Sequence, residues 1–260
     1  MKDALQPRYR WRVAALAVLI LAPLAGLVIL HDGPILQDRG YHAFADTRDC
    51  LGVRNVANIA SNLLFLLVGA AGLRWCYRHR DCGARRSWLA FFAGVALVFC
   101  GSAYYHQSPD DATLLWDRLP MSLGFAGLFA ALLSEHLGEK IESALLAPAL
   151  LAGVTGVLWW HWSGDLRPYI WVQAAPLLAI PYVVAAFPAQ YTHRHYLLYG
   201  VGLYIAAKVA EFHDHEVYTL TTGWISGHSL KHLLAASAVF CVYLMLRRRG
   251  QSRTPVASSQ

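Results

Sequence analysis

Apolar runs of near membrane-spanning length alternate with short polar loops along most of this chain. A helix needs about 20 mostly apolar residues to cross the hydrocarbon core of a bilayer. The pattern therefore predicts an all-α, polytopic membrane helical bundle. We expect spans at about 14–30, 56–73, 88–105, 119–133, 144–162, 169–187, 196–211 and 225–246.

The composition agrees with a membrane protein. Of the 260 residues, 57% are hydrophobic and 15% are charged, against about 25% charged in soluble domains. The formal net charge is +6, but the basic residues cluster between apolar runs, as the positive-inside pattern requires. This distribution argues against a nucleic-acid partner. The five cysteines are scattered and predict neither a disulfide framework nor a metal knuckle.

The first apolar run has two interpretations. It follows a basic start, as a cleaved signal peptide does, but it continues past the usual length and no small-residue cleavage site follows cleanly. We interpret it as an uncleaved helix added to a seven-helix core. The expected organisation is a cytoplasmic N-terminus at 1–12, the extra transmembrane helix at 13–30, a seven-transmembrane core at 31–246 and a cytoplasmic polar tail at 247–260.

Charge predicts the orientation. The strongest basic cluster runs from Arg74 to Arg86 and places that loop in the cytoplasm. Each successive span crosses the membrane in the opposite direction. Counted from that loop, both termini lie in the cytoplasm, every basic loop lies inside and every acidic loop lies outside. Polar residues from three separate spans then fall near the outer face.

Those residues have the types that bind and use a metal ion. His228 and His232 are one helical turn apart and share a face, so both imidazoles can reach one ion. His106 ends an earlier span, with Ser102 one turn before it and Asp117 shortly after. Three neutral imidazoles with one open position are typical of catalytic zinc.

The two remaining residues have candidate roles. Asp117 is either a general base acting on water or a hydrogen-bond partner of a ligand histidine. Ser102 donates to a developing oxyanion or holds the water. Lys208 and Glu211, three residues apart on one helix, are interpreted as a structural ion pair.

Taken together, the motifs resemble those of the CREST superfamily of membrane hydrolases. The pattern is Ser102-x3-His106, then Asp117, then His228-x3-His232. The interval from His106 to Asp117 is similar to that of the alkaline ceramidase (alkaline phytoceramidase) branch. So is the segment 55–63, which resembles the branch's N-x3-S-N-L start.

The resemblance implies a zinc-dependent amidohydrolase. Zinc is expected on His106, His228 and His232, with Ser102 and Asp117 assisting water that attacks the amide of ceramide or a related N-acyl lipid. The products are a fatty acid and a long-chain amine.

The branch also implies a calcium site before the first core helix. Its candidate ligands here are Asp46, Asp49 and Asn58. Asn55 stands where a glutamate is expected, a departure that argues against calcium. The short loops and Arg-rich composition favour a bacterial inner membrane as the location.

Three other functions remain open at this stage. One is a zinc-containing, receptor-like or lipid-binding member of the same superfamily without hydrolase activity. Another is a seven-helix retinal protein using Lys208, which leaves the histidines unexplained. The third is a haem-binding cytochrome, but haem held across a bundle needs histidines on opposed helices, whereas His228 and His232 share one face.

Overall fold

The protein is α-helical, with loops and isolated bridges between the helices of the described chain. The structure is a computed structural model that describes residues 7–138, 140–188 and 190–251. Besides a 3-10 helix at Arg39–His42, its helices are α1 Pro7–Ile29, α2 Val56–Ser61, α3 Leu63–Arg78, α4 Arg85–Gln107, α5 Asp111–Leu137, α6 Lys140–Ser163, α7 Arg167–Ala186, α8 His195–Phe212, α9 Asp214–Leu220 and α10 Gly227–Arg248.

The structure confirms an integral multi-pass membrane protein. Within the described ranges, six helical segments are long and apolar enough to cross a bilayer: Tyr9–Ile29, Val56–Arg78, Arg85–Gln107, Lys140–Ser163, Arg167–Ala186 and Gly227–Arg248. The other two expected spans coincide with α5 and α8, which are less apolar because each carries charged side chains. Their crossing, and the division into a seven-helix core plus one added helix, stay predictions.

The predicted chain ends are described only in part. Residues 1–6 of the expected cytoplasmic N-terminus and residues 252–260 of the expected tail lie outside the described residues. Helix α1 packs against α7. Trp171 Nε1 donates to the carbonyl of Ile20 at 2.9 Å, and Tyr182 donates to the carbonyl of Arg12 at 3.1 Å. The extra helix is therefore bonded to the bundle by side chains of α7.

Two helices carry the polar cluster and lie at the centre of the arrangement. Helix α4 packs against α3 and α5, and α10 packs against α3 and α8. Ser226 caps α10 by accepting from the backbone N–H of Ser229 at 3.0 Å, which satisfies one of the free donors at the helix start. At the other end of α10, Arg249 donates to Glu135 of α5 at 2.7 Å. Both ends of α10 are thus held by specific bonds.

Glycines let α4 and α5 approach closely. A Cβ at Gly94 would lie 2.5 Å from the backbone nitrogen of Gly124, and one at Gly101 would lie 2.0 Å from the carbonyl oxygen of Trp116. Small residues allow such backbone contact between membrane helices. Gly101 immediately precedes Ser102, and Trp116 immediately precedes Asp117, so this contact sets the distance between the two candidate catalytic residues.

We predict that Gly101→Ala lowers the free energy of unfolding by about 1–3 kcal/mol, because the added methyl group meets rigid backbone. Gly202→Ala is the matched control: its Cβ would have no heavy atom within 4 Å. In the control, the better helix propensity of alanine should add up to about 1 kcal/mol. Thermal unfolding in detergent measures both, and equal melting temperatures for the two variants would contradict the packing argument.

Candidate metal centre

Three histidines converge where the end of α4 meets the start of α10. His106 lies in the last turn of α4, and His228 and His232 lie in the first two turns of α10. Their exposed fractions are 0%, 4% and 4%. The ring centroids are 5.0 Å apart for His106 and His228, 5.3 Å for His106 and His232, and 4.8 Å for His228 and His232. The prediction that these three histidines lie together is confirmed.

The donor atoms of this cluster fit a metal ion. One ligand atom from each histidine lies within 4.8 Å of the others, and no other group of three or more His, Cys, Asp or Glu side chains among the described residues converges in this way. Nitrogen ligands of tetrahedral zinc are about 3.4 Å apart for bonds of about 2.0–2.1 Å. Binding would therefore draw the imidazoles together by about an ångström, which small side-chain rotations can supply.

His106 gives the strongest indication of an ion. Both of its ring nitrogens are buried, and neither has a hydrogen-bond partner in the part of the chain that the structure describes. Buried polar side-chain atoms are nearly always partnered, because an unmet donor or acceptor loses its hydration without compensation. A cation between the three imidazoles would supply a partner for one of these nitrogens.

His232 is oriented by the short helix α2. Its Nδ1 lies 2.8 Å from the hydroxyl of Ser61 and 3.1 Å from the amide nitrogen of Asn62. Ser61 already donates its proton to the carbonyl of Asn58 at 2.9 Å. The Ser61 oxygen can therefore accept from a protonated Nδ1, a tautomer that leaves the Nε2 lone pair for a metal ion.

His228 is held through its backbone and its ring. Its N–H donates to Oδ1 of Asp214 at 2.6 Å, and the ring of Phe44 lies 4.5 Å from its own. The ammonium of Lys231 lies 3.2 Å from Nε2 and 2.8 Å from Glu211. A metal ion bound through Nε2 requires that ammonium to turn toward Glu211, whereas binding through Nδ1 leaves it in place.

Ser102 and Asp117 are buried on the neighbouring helices α4 and α5. Ser102 is 1% exposed and Asp117 is 8% exposed. Both side chains line one cavity together with His232. The arrangement places a carboxylate and a hydroxyl on the wall of a cavity that also reaches one histidine of the cluster.

The cavity has a volume of about 530 Å³. Ser102, Asp117 and His232 lie at its polar end. From there the cavity runs along α10 from Lys231 to Val242, between side chains of α4, α5, α7 and α8. Eleven residues of helix rise by about 16 Å. Away from the histidines the wall is mostly apolar, with Val95, Leu128 and Ile180 among its members. A long, narrow apolar space of this size suits an alkyl chain.

The three candidate calcium ligands have protein partners. Asp46 bonds Arg48 at 2.5 Å, Asp49 accepts from the backbone of Asn55 at 3.1 Å, and Asn58 accepts from Ser229 at 2.8 Å. Burial raises the pKa of the Asp46 carboxyl, but the hydrogen bonds and charge of Arg48 together hold that pKa below its usual value. Calcium binding at these residues stays a prediction.

Sequence reasoning missed several residues that position the histidines. The sequence patterns include Ser61 only within the segment 55–63, and they do not single out Phe44, Asp214 or Lys231. The ion pair between Lys208 and Glu211 was predicted and is present, although Glu211 also binds Lys231. The sequence shows Asp214 shortly before the H-x3-H segment, but only the fold shows that its carboxylate bonds the backbone of α10.

No protein-family model matches this chain, and no curated protein matches its sequence. The chain is thus a multi-pass helical membrane protein with a buried three-histidine cluster that can form a metal site.

We predict that Ser61→Ala weakens metal binding by about ten-fold or more, because His232 loses the hydrogen bond that orients its ring. Ser237→Ala is the matched control, since Ser237 is exposed on α10 and donates within its own helix. Competition with a chromogenic chelator measures the two affinities. The same affinity in both variants would show that Ser61 does not orient the ligand.

Proposed function

We propose that the protein is a zinc-dependent membrane amidohydrolase that cleaves the amide of ceramide or a related N-acyl lipid. The observation that carries this proposal is the meeting of three features: the buried histidine cluster, the Ser102 and Asp117 side chains, and the head of an apolar cavity. A purely structural metal site needs neither a carboxylate nor a hydroxyl facing an open cavity.

The donor set favours zinc. Neutral imidazoles suit zinc, and three protein ligands leave a position open for reaction. When bound, the ion would acidify a water molecule and polarise the carbonyl of the scissile amide.

Side chains of the protein would then supply proton transfer and stabilisation of the developing negative charge. The carboxylate of Asp117 accepts a proton from water as its oxygen attacks the carbonyl carbon. The Ser102 hydroxyl donates to the oxygen on which negative charge develops. The C–N bond breaks, the proton passes to the leaving nitrogen, and a fatty acid and an amine are released. The apolar cavity holds the alkyl chain and keeps bulk water from the reacting atoms.

The motif order supports an alkaline ceramidase-like member of the CREST superfamily. The proposed zinc ligands, His106, His228 and His232, and the assisting residues, Ser102 and Asp117, match that branch's pattern in order. We propose the orientation that charge predicts, with both termini in the cytoplasm of a bacterium and the site toward the outer face of the inner membrane.

The testing experiment combines metal analysis with an N-acyl lipid hydrolysis screen on purified protein. We expect about one zinc ion per chain, and loss or weakening of zinc in His228→Ala. Asp117→Ala should keep the metal and the fold while turnover falls by about 10²–10⁴-fold, as removal of a general base predicts. His161→Ala and Asp111→Ala are controls, since both side chains are exposed.

Each failure has a separate meaning. Wild-type protein that binds no zinc would contradict the metal site. Protein that binds zinc and lipid but cleaves no N-acyl lipid would favour the receptor-like alternative. Turnover unaffected by Asp117→Ala would exclude the proposed base.

A further inference from the structure

Arg118 is a buried charge at the cavity that the proposed reaction does not use. It follows Asp117 on α5, is 5% exposed and lines the cavity. Its guanidinium lies 4.0 Å from the ring of Trp160 and 4.8 Å from that of Tyr169. Nη2 donates to the side-chain oxygen of Gln37. Nη1 is buried and has no hydrogen-bond partner among the described residues.

The neighbouring carboxylates leave Arg118 without a direct ion pair. Lys208 and Lys231 both pair with Glu211, and the charge of Asp117 acts on both Lys231 and Arg118. No ion pair within the described ranges includes Arg118. The cavity wall therefore holds three cationic side chains against two carboxylates, and Arg118 is the cation that has no ion pair among the described residues.

A buried guanidinium with an unmet N–H is costly, and an anionic oxygen is the group that compensates it best. Hydrogen bonds between guanidinium and carboxylate or phosphate are among the strongest in proteins. The stacked rings fix the plane of the guanidinium, so its free edge offers a preformed donor rather than a flexible one.

We propose that Arg118 binds an anionic group on the amine portion of the lipid, so that the preferred substrates are N-acyl lipids bearing a carboxylate or phosphate there. This inference rests on the proposed amidohydrolase function and narrows its substrate class. Because the side chains of Asp117 and Arg118 line the same cavity, the substrate must carry its anionic group and its scissile amide within reach of that one cavity. An N-acyl amino acid, with its carboxylate next to the amide nitrogen, is the smallest lipid that meets this requirement.

The test compares N-oleoylglycine with N-oleoylethanolamine, which share the acyl chain and the amide and differ by carboxylate against hydroxymethyl. Wild-type protein should cleave N-oleoylglycine with a kcat/KM at least about ten-fold higher, since only its carboxylate forms a charge-assisted hydrogen bond with the guanidinium. In Arg118→Gln this ratio should fall by about ten-fold or more, mainly through KM. Arg74→Gln, at an exposed position on α3, should keep the wild-type ratio.

A third substrate, an N-acyl phosphatidylethanolamine, distinguishes the source of the anion. Faster cleavage of this lipid than of N-oleoylglycine would assign the site to a headgroup phosphate, and slower cleavage would assign it to a carboxylate. Equal kcat/KM for N-oleoylglycine and N-oleoylethanolamine in wild type, or an unchanged ratio in Arg118→Gln, would overturn the proposal.

A binding measurement separates this proposal from the amidase itself. If wild-type protein cleaves neither lipid, the hydrolase function fails, and the anion site is decided by thermal unfolding with each lipid added. N-oleoylglycine should then raise the melting temperature more than N-oleoylethanolamine does, and Arg118→Gln should remove the difference. Equal shifts in wild type would overturn the anion site. If Arg118→Gln does not fold, Arg118→Lys replaces it. Lysine keeps the charge but lacks the paired donors of the guanidinium, so this variant should retain part of the preference for N-oleoylglycine.

Discussion

The cost of burying imidazole nitrogens without partners is the constraint around which this structure is best understood. His106 is wholly enclosed at the end of α4, and neither ring nitrogen finds a donor or acceptor in the described chain. Within a membrane bundle, water cannot easily repair such a loss. Two more histidines face it from α10, with ring centroids 5.0 Å and 5.3 Å away. A shared cation resolves the constraint with the residues already present.

The surrounding bonds hold this cluster before any ion binds. Asp214 fixes the start of α10 through the backbone of His228, and Ser61 sets the ring orientation of His232. The glycine contact between α4 and α5 brings the backbones that carry Ser102 and Asp117 close together. Preorganisation of this kind keeps ligands and reacting groups in position without a further loss of conformational entropy. The cavity lined by His232, Ser102 and Asp117 continues between apolar side chains such as Val95 and Leu128.

Much of this arrangement could be predicted from the sequence, because long apolar runs and the i, i+4 spacing of His228 and His232 depend on local geometry alone. Membrane depth predicted that His106 lies level with that pair, and the structure shows that it also lies beside the pair. The orienting contacts could not, since the bonds of Ser61 and Asp214 join segments 171 and 14 residues apart. Helices α5 and α8 were expected to span, but their charged side chains reduce the apolarity by which a span is identified. Four of these charged side chains, Asp117, Arg118, Lys208 and Glu211, line the cavity.

X-ray absorption at the zinc edge of the purified, zinc-loaded protein tests the central claim most directly, because it reports the atoms bound to the ion. The account predicts three imidazole nitrogens at about 2.0–2.1 Å and one further oxygen in a four-coordinate shell. Loss of imidazole scattering in His106→Ala should accompany this. A shell containing sulfur at about 2.3 Å, or one made only of oxygens, would contradict a metal centre built from His106, His228 and His232.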